Sequence, residues 1–154
     1  MGPDIIDTMP ARMDAIKAAM DAAAALQART IKRSYLRDYD SHSAAELKQG
    51  VIMLISNGEG DYKRGQGMVA KEGTHRFMLI GHLKVSEQLQ GEQQGLAVEA
   101  MEMAMIEEIK IFARAGVPGM GLSVESVQQS RQQAAPYGWI VVYLNAGPPG
   151  ETTY

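Results

Sequence analysis

EQQGLAVEAMEMAMIEEIKIFAR, residues 92–114, is the stretch that decides the fold, because its periodicity admits one assignment, a long helix. At about 100° per residue, Val98, Met101, Met105, Ile109 and Phe112 fall on a single stripe, the pattern of a helix packed on a core. On roughly the opposite side Leu96, Ala100, Met103, Ala104 and Ile111 make a second, thinner apolar stripe. Glu99, Glu107, Lys110 and Arg114 are threaded among them. A helix in a small domain ordinarily buries one face and wets the other, so the second stripe asks for a second partner. That partner is either the N-terminal helix, as extra core, or a neighbouring subunit. The methionines at 101, 103 and 105 suit both, since a flexible thioether packs irregular surfaces.

Working outward from this helix, Thr74 to Ser86 (THRFMLIGHLKVS) reads as a strand. Phe77, Leu79, Leu83 and Val85 lie on one side, and Arg76, Met78, Ile80, His82 and Lys84 on the other. Gly81 in its middle predicts a bend or bulge. Before it, Gly50 is followed by VIMLIS, a continuous apolar run expected to be a strand covered on both faces. The segment between the two strands, NGEGDYKRGQGMVAKEG, is rich in glycine and charge and predicts a long hairpin loop, about 58–72. Gly58, Gly60, Gly65 and Gly67 match neither phosphate-binding glycine pattern. Asp61, Tyr62, Lys63 and Arg64 are therefore read as an assembly contact, with a plain surface hairpin as the alternative.

Past the helix, Gly116 and Pro118 form a stop, and Met120 to Val127 predicts a further strand. An amide-rich loop, QQSRQQAAPYG, leads to WIVVYL (139–144), apolar on both faces and the best candidate for a central strand. The tail AGPPGETTY carries no core positions.

At the other end, Thr8 and Pro10 read as the start of a helix running to about Gln27, with a narrow alanine-rich stripe. RTIKRSYLRDY, 29–39, then favours a strand. Its bases Arg29, Lys32, Arg33 and Arg37 beside Tyr35 fit contact with phosphate or base, although four bases on an edge strand are more often the solvated charges that protect it. Residues 40–43 make a turn, and Ala44 to Gln49 one helical turn.

With 154 residues the chain has the length for one core. The expected division is an N-terminal arm (1–8), one domain (9–145) and a tail (146–154). It contains no cysteine, which removes disulfides, thiolate nucleophiles and zinc–cysteine or iron–sulfur sites. A net charge of −3 announces neither a nucleic-acid nor a membrane partner. No signal segment and no membrane span is expected, so the protein reads as soluble and intracellular where it is made. His42, His75 and His82 match no metal-ligand spacing, and Ser130 sits in no nucleophile elbow. Glu99, Glu102, Glu107 and Glu108 read as helix-surface charges, since no histidine accompanies them as a carboxylate-bridged metal pair requires. No catalytic activity, metal or cofactor is expected.

The predicted class is α+β, a two-layer sandwich of a mostly antiparallel sheet of about five strands with two main helices on one face. This order, with the amide-rich loop and the PYGWIVVYL finish, resembles the tail terminator proteins of long-tailed phages, lambda-type and Mu-like, over roughly residues 10–144. The resemblance implies a structural virion protein forming a ring, typically a hexamer. Such a ring caps the tail tube protein, joins it to the head-completion or connector protein of the neck, and has no cofactor. It would act in the virion after assembly in the host cytoplasm, with passive contact to DNA in its lumen. Candidate subunit or tube contacts are then Leu96, Met103, Ile111 and Asp61 to Arg64. The alternatives are a nucleic-acid-binding module using Arg29, Lys32, Arg33 and Arg37, or another head–tail joining protein.

Overall fold

A computed structural model describes residues 8–60 and 73–147. Helix α1 (Met9–Ala22) starts where the sequence predicts: the Thr8 hydroxyl accepts the Ala11 N–H at 3.3 Å, and Pro10 occupies the first turn. It stops short of Gln27 because Ala23 turns extended and Ala24–Leu26 tighten into a 3-10 turn. The Gln27 side-chain amide then donates to the carbonyls of Asp21 and Ala23. Strand β1 (Thr30–Lys32) follows, and then α2 (Ala44–Gln49), opened by a capping box in which Ser43 and Glu46 exchange side chain-to-backbone hydrogen bonds. The chain continues through β2 (Val51–Gly60), β3 (Thr74–Lys84), α3 (Glu92–Ala115), β4 (Gly121–Gln129) and β5 (Tyr137–Gly147).

The five strands form one sheet in the order β1-β2-β3-β5-β4, with β1 parallel to β2 and every other pair antiparallel. Residues directly opposite each other share a face, which sorts the sheet into two sides. Leu54, Leu79 and Val142 lie in one row, and Phe77 with Leu144 in the next. All are buried with Met13, Ile16 and Met20 of α1 and with Val98, Met105, Ile109 and Phe112 of α3. Both main helices therefore cover the same side, and the architecture is an α+β sandwich. The other side carries Ile55, Met78 and Tyr143 in one row and Met53, Ile80 and Val141 in the next. Here Val51 and Met53 are buried, but Ile55, Met78, Ile80, Trp139, Val141 and Tyr143 are only half-buried.

Four further sequence expectations change. The strand expected over 29–39 lasts three residues, because the Arg33 guanidinium reaches the Leu54 carbonyl at 2.8 Å and Leu36 N–H turns to the Met53 sulfur. The chain thus leaves the sheet after Lys32. Conversely β2 runs on through Asn57–Gly60, where glycine and charge predicted a loop; a bulge between Ser56 and Glu59, with Gly58 at φ 90°, lets pairing resume at Glu59 and Gly60. Gly81 marks no bulge. Its ladder is regular, and a Cβ there would stand 2.6 Å from Ile140 Cγ1 and 3.0 Å from Met105 Cε, so the glycine admits α3 close to the sheet. Finally, β5 includes Ala146 and Gly147, assigned from sequence to the tail. Asp61, Tyr62, Lys63 and Arg64 lie outside the described residues.

Gly138 has the same use as Gly81. A Cβ there would meet Glu102 Oε2 and Val98 Cγ1 at 2.7 Å and Leu83 Cδ1 at 2.9 Å. Gly138→Ala is expected to destabilise the fold by roughly 2 kcal/mol through overpacking between β5 and α3. Urea denaturation against the parent protein measures it, with an unchanged midpoint as the contrary result.

Candidate functional site

The inward stripe of α3 contains a residue that sequence reading assigned to the surface. Glu102 has no exposure at all. One carboxylate oxygen accepts the Ser130 hydroxyl and, at 3.1 Å, the Trp139 backbone N–H; the other accepts the Gln129 amide at 3.2 Å. A turn earlier, Glu99 accepts the Gln132 amide at 3.0 Å, and Gln132 fills the notch that Gly95 leaves. The amide-rich loop thus hangs from α3 by two carboxylates. Glu102 falls four residues after Val98 and three before Met105, so the helical period does place it on the buried stripe.

With that face fixed inward, the second stripe faces out. Leu96 is 50% exposed, Met103 45% and Ile111 55%, and Ala100 and Ala104 between them are exposed as well. Helix α1 does not cover this side. Between α1 and the end of α3 it leaves a groove of about 830 Å³ lined by Ala15, Ala18, Ala22, Ile111, Ala115 and Gly119. Among the described residues the remaining large exposed hydrophobic is Tyr35, at 53%, flanked by Arg33 and Arg37 just beyond β1.

The basic stretch does not present its charges together. Arg29 makes a two-pronged ion pair with Glu108, 2.7 Å from Nε and 2.8 Å from the second terminal nitrogen, and also donates to the Gln49 carbonyl. Lys32 Nζ lies 2.9 Å from His42 Nδ1 and 3.3 Å from Glu46. Arg33 serves Leu54, which leaves Arg37 as the exposed base without a partner among the described residues.

Two histidines that sequence spacing kept apart do meet. His42 Nε2 is 3.2 Å from His82 Nδ1, and Tyr39 packs its ring against both His82 (4.7 Å between centroids) and Tyr137 (4.5 Å). Because the Lys32 ammonium donates to His42 Nδ1, His42 Nε2 must carry the proton it gives to His82. Burial, reinforced by His42, pushes His82 down to about 4. Burial foremost and then Lys32 lower His42, against the pull of Glu46; burial and then Arg12 lower His75, against Glu59. Tyr39 is raised, by burial first and then by the Glu102 and Tyr137 charges.

On the helix side of the sheet, Ser56 Oγ stands 2.8 Å from His75 Nε2, and His75 Nδ1 is buried without a hydrogen-bond partner among the described residues. Among the described residues no three His, Asp or Glu side chains gather as a metal site, and no helix is long and apolar enough to cross a membrane. No protein-family model and no curated protein matches the chain.

The depressed histidines give a pH dependence whose sign follows directly. Between the ordinary 6.5 and the folded value of about 4 for His82, the unfolded chain binds more protons than the folded one. Stability is therefore full above about pH 6.5 and falls as the pH drops toward 4, by up to about 1.4 kcal/mol per pH unit for each proton taken up on unfolding. Urea midpoints at stepped pH values are expected to fall over this window, and less steeply in His82→Gln. A profile that stays flat from pH 6.5 to 4 is the opposing outcome.

Proposed function

We propose that the protein is a self-associating structural subunit, a ring-forming tail terminator that caps the tail tube of a long-tailed phage and meets the head-completion proteins. The observation that carries this reading is the outer stripe of α3, three large apolar side chains held in water on one rigid helix. A surface of that kind on a small domain marks a contact with another protein. The alanine groove beside Ile111 extends the same apolar surface around the end of the helix. Identical subunits that join through unlike patches form a ring where the rotation between them closes, and a tube cap needs such a ring. The element order supports the same reading, through the likeness to tail terminators. The nucleic-acid alternative has less support, because Arg29, Lys32 and Arg33 are each engaged within the subunit.

Substitutions on the two sides of α3 separate its roles. Met103→Asp and Ile111→Asp are expected to leave the circular dichroism spectrum and melting temperature close to the parent's while weakening self-association and tube capping. Val98→Asp and Phe112→Asp are expected to abolish folding, since each buries an unpaired charge. Light scattering and negative-stain microscopy, with and without tail tubes, read the association. A parent protein that stays monomeric at every concentration and caps no tube overturns the proposal.

A further inference from the structure

We infer that the His42–His82 pair is an acid-sensitive latch: with both rings neutral it holds residues 33–43 against the side of the sheet away from α1 and α3, and protonation releases that segment while the rest of the fold stays closed. The latch works within one subunit and does not depend on the ring reading.

The segment is fixed at its two ends and lightly held between them. It leaves β1 after Lys32, which pairs with Met53, and rejoins regular structure at the Ser43 capping box of α2. Along the way Arg33 donates to the Leu54 carbonyl, Leu36 N–H reaches the Met53 sulfur, and Tyr39 packs on His82 and Tyr137. Of residues 33–43 only His42 is buried, and its partner on β3, His82, is buried equally, both at 6% exposure. The imidazole pair is thus the one buried anchor of the segment. Val51 and Met53 on this side have no exposure, whereas Ile55, next along the same face of β2, is half-buried.

One proton lies between the rings. His42 Nε2–H donates to His82 Nδ1, because Lys32 already donates to His42 Nδ1. A second proton, on His82 Nδ1, sets two N–H donors against each other; one on His42 Nδ1 faces the Lys32 ammonium instead. The surroundings do not offset the added charge. Glu46 of α2 is engaged with Lys32 and the Ser43 N–H, and Lys84 of β3 is paired with Glu87 and lies over the Tyr137 ring. Tyr39 and Tyr137 present rings, β2 presents Val51, and Asp38 and Asp40 beside Tyr39 are exposed. Glu102 of α3, whose charge is felt at Tyr39, is occupied by its own donors. Burial foremost, then His42, holds His82 at about 4 while the segment is down; in water the ring returns to its ordinary 6.5. Opening therefore takes up a proton between these values, so it is suppressed above pH 6.5 and favoured as the pH falls toward 4.

Amide hydrogen exchange of the whole protein, read by mass spectrometry of its peptides and corrected for the intrinsic pH dependence, tests the latch. Between pH 6.5 and 4 the opening constant of peptides over 33–43 is expected to rise by up to about tenfold per pH unit, while peptides of α3 and β5 stay protected. His82→Asn keeps an acceptor near the place of Nδ1 and does not titrate, so it is expected to keep the protection and lose the pH response. Trp139, the one tryptophan of the chain, sits opposite His82 on the same face, so its emission follows the ring in the unsubstituted protein and is expected to fall over the same window. The latch is overturned if residues 33–43 exchange freely at neutral pH, if they lose protection only together with α3 and β5, or if His82→Asn responds to pH as the parent does. Trp139 emission that changes only where the circular dichroism of the whole fold collapses also overturns it.

Discussion

A carboxylate with no access to water sets the geometry of this protein. Glu102 sits midway along α3, and burying it is tolerable only because Ser130, Gln129 and the Trp139 amide all donate to it. Those donors lie on β4, on β5 and at the start of the loop between them, so one side chain fixes the azimuth of the helix against the last hairpin. Turning α3 by one residue to bury Met103 would bring Glu102 out of its hydrogen bonds and swing Val98 and Met105 off the sheet. That exchange loses several buried contacts to gain one, so Leu96, Met103 and Ile111 remain outside. Their exposure is a consequence of how the core is satisfied.

The same constraint explains why glycines stand where they do. Gly81 and Gly138 face the helix from β3 and β5, and each stands where a Cβ would strike Ile140 or Glu102. Gly95 gives Gln132 its notch on the helix itself. Close approach of α3 to the sheet is thus bought at three positions, and the long helix becomes a rigid support for whatever its outer side meets. Helix α1 contributes Met13, Ile16 and Met20 to the core but otherwise alanines, which is why it leaves a groove beside Ile111 and does not reach across it.

Much of this was legible in the residues. The two stripes of α3, the Thr8 start of α1, the turn of helix at 44–49 and the doubly covered VIML run all follow from period and capping. What failed were places where a distant partner overrules local preference. RTIKRSYLRDY has the residue types of a strand, yet Arg33 finds the Leu54 carbonyl and ends it. NGEG has loop composition, yet Gly58 absorbs a bulge and β2 continues. Glu102 was assigned to the surface because charge outweighed periodicity in the reading, although its position on the Val98–Met105 stripe was already visible. The His42–His82 contact could not be inferred from spacing, since it depends on α2 leading the chain into β2, where Val51 pairs with His82.

The way the sheet ends leaves little for a further strand to pair with. An open strand edge is a template for pairing with another chain, and both edges here are blunted. On one side β1 is three residues long and runs parallel, and beyond it the Arg33 guanidinium takes the Leu54 carbonyl. Further along β2, the Ser56–Glu59 bulge interrupts the line of free groups. On the other side β4 is broken between Val124 and Ser126, with the exposed Glu125 at the break. A bulge adds twist and puts successive amides out of register with a would-be neighbour, and a charge there opposes a dry contact. Strand addition at either edge would have to undo these features. The helix stripe needs no such change, because Leu96, Met103 and Ile111 are already exposed on a rigid helix. The apolar surface on the outer side of α3 is therefore easier to reach than either strand edge.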